Sequence, residues 1–166
     1  MWIAIVVLLQ AVSQPIAIEE IALYNKILDE SAPAARLKLL QEFEQKYPNS
    51  KNIGEMFGLT MEVYRAQNNV AKTLQYGEKA LKADPQNLQA LTIIARQYAI
   101  EGRNLDRAVE YAKRAKDVIA KKKVSPKPAG ILQPQWNSYL QQLDASADWT
   151  LNYVQSITTS VLKRRP

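Results

Sequence analysis

Two stretches of this chain, residues 54 to 87 and 88 to about 122, place the same residue types at the same spacing, and that repetition limits the fold more than any other feature. With Gly54 as position 1, Phe57, Tyr64, Ala80 and Pro85 fall at positions 4, 11, 27 and 32. Leu88 opens the second copy, with Leu91, Ala95, Tyr98 and Gly102 at positions 4, 8, 11 and 15; after one inserted residue, Ala108 and Ala115 match positions 20 and 27. Within each copy the apolar residues step by three and four, the spacing of an amphipathic helix. Asn68-Asn69, Asp84-Pro85 and Glu101-Gly102-Arg103-Asn104 interrupt them as turns. A helix-turn-helix unit of this size cannot bury its apolar face alone, so the copies must stack on one another.

The pattern resembles the tetratricopeptide repeat. The likeness is close over residues 54 to about 122 and loose over 17 to 50, where, with Pro48 as position 32, Leu40 and Phe43 land on positions 24 and 27. It implies an all-α solenoid of helical hairpins, similar to exported bacterial members of that family. Two residues depart from the pattern: Met61 stands where position 8 is small, and Gly77 where position 24 is aromatic. Compensation is the expectation, with Met61 or Tyr76 filling the space beside Gly77. Asn68 replaces the common Gly at a left-handed position, which Asn tolerates better than other side chains.

The flanks complete the domain reading. Residues 18 to 50 form a degenerate first hairpin, with a helix in which the apolar residues Ile18, Ile21, Ala22, Ile27 and Leu28 recur at helical spacing. A second helix opens at Pro33 and packs through Leu37, Leu39, Leu40, Phe43 and Tyr47. After the repeats at 54 to 87 and 88 to 121, a linker at 122 to 134 holds three prolines and a glycine. From 135 to 162, Trp136, Leu140, Leu143, Ala147, Leu151 and Val154 mark one long amphipathic helix, expected to cap the open end of the array.

Before the first helix, Trp2 to Leu9 is a continuous apolar run, too short to span a bilayer, where about 20 residues are needed. Residues 1 to 17 therefore read as a signal peptide, with an N-terminal packed helix or a membrane anchor as alternatives. The location is exported or periplasmic if they are a signal peptide, and cytoplasmic otherwise.

The chain has neither Cys nor His, so thiol nucleophiles, disulfides, imidazole metal sites and the commonest general base are unavailable to it. No phosphate loop, nucleotide fingerprint or metal motif appears, and neither an enzyme activity nor a cofactor is expected. The net charge of +6 is uneven: residues 1 to 100 carry 10 Lys or Arg against 10 Asp or Glu, and residues 101 to 166 carry 12 against 6. Lys121-Lys122-Lys123 and Lys163-Arg164-Arg165 are the densest runs. They read as solvated helix ends, which the helix dipole favours. No aromatic residues interleave them as a base-stacking surface needs, so nucleic acid is not an expected partner.

The resemblance implies a function in protein–protein interaction, with a peptide or helix bound on the concave face. The family's concave positions map to Glu55, Gly58, Glu62, Arg65 and Ala66 in the first clear copy, and to Gln89, Thr92, Arg96, Ala99 and Ile100 in the second. Glu62, Arg65, Gln89, Thr92 and Arg96 are the candidate peptide-binding residues. Arg65 and Arg96 stand out because a guanidinium can fork onto a carboxylate or carbonyl; pairing with a neighbouring Glu is the plainer expectation for each. The two-lysine, two-asparagine carboxylate clamp of chaperone-binding members is absent at these positions. The face so defined is about two helices wide. Alternative roles are self-association through Trp136, Tyr139, Trp149 and Tyr153 on the C-terminal helix, a membrane-surface adaptor using the N-terminal segment or the basic C-terminal part, and a fragment of a longer repeat array.

Overall fold

The computed structural model describes residues 18–163, and side chains as far as residue 160. The apolar N-terminal segment read as a signal peptide lies outside these residues, as do the side chains of Lys163 to Arg165. The described residues form seven helices: α1 (18–29), α2 (Pro33–Lys46), α3 (Ile53–Ala66), α4 (Val70–Ala83), α5 (Leu88–Glu101), α6 (Leu105–Val124) and α7 (Gln133–Lys163). They pack in sequence as antiparallel pairs, α1–α2, α3–α4 and α5–α6, with α7 laid on α5 and α6. The architecture is all-α and consistent with a tetratricopeptide-like arrangement.

The turns follow from local chemistry. Asn69 and Asn87 cap α4 and α5 by accepting from the backbone N–H of Lys72 and Ala90 at 3.1 and 3.0 Å. Asn68 has φ 55°, the left-handed conformation its position requires, and Asn104 adopts the same conformation at φ 51°, one residue before α6. Gly102 ends α5 at φ 63°. Pro33 opens α2 at a first-turn position.

Close helix approach depends on small residues. Ala80, Ala95, Ala108 and Ala115, the repeat's small positions, are completely buried. They belong to a core that runs from Met61 through α4, α5 and α6 to Trp136, Leu140, Ala147 and Val154 of α7. A second cluster, Leu23, Ile27, Leu40, Phe43, Met56 and Val63, joins α1, α2 and α3. α3 thus faces two ways, with Met61 toward the central core and Met56 and Val63 toward the first hairpin.

Two expectations need correction. In α1 the buried residues are Leu23 and Ile27, whereas Ile18, Ile21 and Leu28 are 68%, 59% and 43% exposed. α1 packs against α2 and α3 along one face, so its other apolar residues have no described element to cover them. The linker is also shorter at both ends, because α6 continues three residues past Lys121 and α7 starts at Gln133. Pro134 sits in the first turn of α7, where a missing N–H costs nothing. No helix among the described residues is long and apolar enough to cross a membrane.

Buried tyrosines tie successive hairpins together. The Tyr76 hydroxyl donates to Glu44 of α2 at 3.1 Å, and Lys79 pairs with the same carboxylate at 2.6 Å. Glu78 of α4 accepts from Tyr98 at 2.8 Å, Tyr111 at 3.0 Å and Arg107 at 2.8 Å. Burial, reinforced by these carboxylates, pushes the Tyr76 and Tyr98 hydroxyls from 10.0 up to about 12. Because the folded value is the higher one, their contribution is complete below pH 10 and is lost as pH rises toward about 12. Unfolding midpoints are expected to fall through that window, and to fall less in a Tyr76→Phe/Tyr98→Phe variant. An identical alkaline loss in the variant would assign the effect to other groups.

Candidate functional site

The helices that open each pair, α3 and α5, together with α7, enclose a groove of about 480 Å³. α5 forms its floor through Gln89, Thr92, Ile93, Arg96, Gln97 and Ile100. Glu62 and Arg65 of α3 stand on one side, and Tyr139, Gln142, Leu143 and Ser146 of α7 on the other. All five candidate residues, Glu62, Arg65, Gln89, Thr92 and Arg96, therefore lie along one concavity. The remaining concave-face positions divide. Ile100 lines the groove, Gly58 and Ala99 are buried, and Ala66 and Glu55 line smaller neighbouring hollows.

Each candidate has a distinct environment. Glu62 is partly buried and accepts a hydrogen bond from the Gln89 carboxamide. Burial raises its pKa, against the opposing pull of Arg65, Arg36 and that hydrogen bond. Thr92 is buried and turns its hydroxyl back onto the carbonyls of Leu88 and Gln89, at 3.0 and 3.1 Å, so it shapes the floor more than it offers a donor. Arg96 lies over the face of Trp149 of α7 at 4.0 Å from the ring centroid, and Trp149 stacks on Tyr153 at 4.8 Å. The Glu partner expected for Arg96 is replaced by an aromatic face, which anchors α7 to the groove floor.

α7 is what the sequence reading missed, for it makes the groove three helices wide rather than two. Its wall is built from Tyr139, Gln142, Leu143 and Ser146, none of which falls at a position the repeat register assigns, so the register could not point to it. Its far attachment is to α6: Lys116 bridges Asp144 and Asp148 at 2.9 and 2.6 Å, and Lys123 also reaches Asp144 at 2.9 Å. Part of the basic stretch is thereby neutralised within the fold, and Lys122 sits 6.0 Å above the Trp136 ring. Trp136 is buried and Trp149 and Tyr153 are partly so, leaving Tyr139 as the exposed member of the four aromatic residues considered for self-association. Tyr139 faces the groove instead, its ring stacked on Trp136 with centroids 5.5 Å apart.

Two smaller hollows adjoin this groove. One, toward the start of α2, shares Glu62 and Arg65 and adds Pro33 and Arg36. The other, at the start of α5, shares Gln89 and Tyr139 and adds Glu55, Asp84, Lys122 and Trp136. No protein-family model matches the chain, and no curated protein matches it in sequence.

Proposed function

We propose that this chain is a non-catalytic, tetratricopeptide-like interaction module that binds a segment of another protein in the groove between α3, α5 and α7. The observation carrying this reading is the convergence of the five candidate residues, drawn from two helices, with four residues of α7 on one concavity of about 480 Å³. That size falls within the range of sites that recognise small ligands and short peptide segments. The lining mixes carboxamides and guanidinium groups with Ile93, Ile100, Leu143 and Tyr139, a combination suited to peptide backbone and side chains together.

Selection from a peptide library against the full chain tests the reading, with a Gln142→Trp variant as the control. Gln142 is exposed on the groove wall, so a bulky ring there obstructs the groove without disturbing the core. Peptides selected by the parent chain are expected to lose at least tenfold in affinity for the variant, about 1.4 kcal/mol. Equal binding to both proteins would move the interaction surface away from the groove.

A further inference from the structure

Three of the six arginines with described side chains have carboxylate partners: Arg103 with Glu101, Arg107 with Glu78 and Arg114 with Glu110. Arg36 donates to the carbonyls of Ile27 and Leu28 at 3.2 and 3.1 Å, closing the end of α1. Arg65 and Arg96 remain, and among the described residues neither pairs with a carboxylate. Both line the groove. The Trp149 ring occupies one face of the Arg96 guanidinium, leaving its N–H edges for a ligand. Glu62 is the single carboxylate in the groove wall, and Gln89 already engages it. The wall therefore carries two cationic groups against one partly buried acid.

Shape adds a second constraint. An α-helix is about 10–12 Å across and 5.4 Å per turn, so a groove of about 480 Å³ admits roughly one turn. One turn cannot present the i, i+4 and i+7 anchors by which a helix is read, and the adjoining hollows, about 230 and 320 Å³, are each smaller than a turn, so a helix cannot continue into them. An extended strand fits, and its backbone can meet the carboxamides of Gln97 and Gln142. Two adjoining hollows share lining residues with the groove, one through Glu62 and Arg65 and the other through Gln89 and Tyr139, so a strand has room to continue past it at both. No chain terminus is needed.

Building on the groove reading above, we propose that the occupant is an internal, extended and acidic segment of a partner protein, with an Asp or Glu side chain held by Arg65 and Arg96. Charge complementarity selects it, and the two adjoining hollows give an internal segment room to continue beyond the groove.

Fluorescence anisotropy with the full chain tests this, using a library of eight-residue peptides acetylated and amidated at their ends, with Asp, Asn or Lys fixed at one central position. The Asp set is expected to bind at least tenfold more tightly than the Asn set, the order expected of a charge-assisted hydrogen bond. Added salt should shrink that difference, Arg65→Gln should reduce it by about tenfold, and Glu62→Gln should enlarge it. Equal binding of the Asp and Asn sets, or preference for Lys, would overturn the acidic assignment while leaving the groove as the site. Tighter binding of an Asp peptide locked as a helix would overturn the extended form. If no set binds the parent chain more tightly than Gln142→Trp, the groove reading itself fails.

Discussion

Gly77→Leu is expected to destabilise the protein by about 3 kcal/mol, the upper part of the range for overfilling a packed core. A Cβ on Gly77 would lie 2.5 and 2.6 Å from Cδ1 and Cγ1 of Ile94, and 3.0 Å from Sδ of Met61. The space left by the missing aromatic is thus already filled. Met61 contributes, as its neighbouring position implies, but the larger share comes from Ile94 on the next hairpin, and Tyr76 is not among the nearest atoms. The helix-propensity gain of about 1 kcal/mol on replacing Gly does not offset that overlap. Urea and thermal unfolding should both register the loss, at roughly 2–4 °C per kcal/mol for a domain of this size. The mechanism is separable, because Ile94→Ala removes both of the closest atoms. By itself it is expected to cost about 2–5 kcal/mol, and combined with Gly77→Leu it should cost clearly less than the sum of the two single changes. Strict additivity, or a neutral Gly77→Leu, would mean that Ile94 does not hold this space.

Leu140→Ala is expected to cost about 2–5 kcal/mol and to loosen α7 from the rest of the molecule. Leu140 is 1% exposed and sits in the core shared with α5 and α6. Two kinds of contact attach α7, and magnitudes decide between them. The bridges from Lys116 and Lys123 to Asp144 and Asp148 are partly solvated, with side-chain exposures between 24% and 53%. Such pairs contribute about 1 kcal/mol or less apiece. The apolar seam should therefore dominate, and Lys116→Ala should cost far less than Leu140→Ala. Hydrogen exchange adds a spatial readout: amides of α7 should lose protection in Leu140→Ala, with smaller changes in α1 and α2, which belong to a separate apolar cluster. A larger loss from Lys116→Ala would make the attachment electrostatic. Because α7 supplies one wall of the groove, the same Leu140 variant should also bind peptide more weakly.

The helices were legible because their signals are local. Asn68-Asn69, Asp84-Pro85 and Gly102 set turns within a few residues of themselves, and α4, Val70 to Ala83, runs between the first two of them. α1 was read less well. Ile18, Ile21 and Leu28 lie on a different side of the helix from Ile27, so the spacing names no single buried face, and only the position of α2 and α3 selects Ile27 together with Leu23. The candidate site was half legible. Repeat register pointed to Glu62, Arg65, Gln89, Thr92 and Arg96, but register carries no information about which side chains already have partners. Thr92 bonds to its own helix, and Arg96 rests on a tryptophan 53 residues away in sequence.

By itself, the sequence determined an all-helical chain of stacked hairpins, since spacing, turn residues and small contact positions act over one or two helical turns. The tertiary structure decided what the repeat could not: that Ile94 occupies the space at Gly77, that the C-terminal helix is a wall of the groove as well as a cap, and that Arg65 and Arg96 both line that groove without a carboxylate partner among the described residues. Those outcomes depend on contacts between residues far apart in the chain, where the free energy of burial and charge pairing is fixed only after the helices have docked.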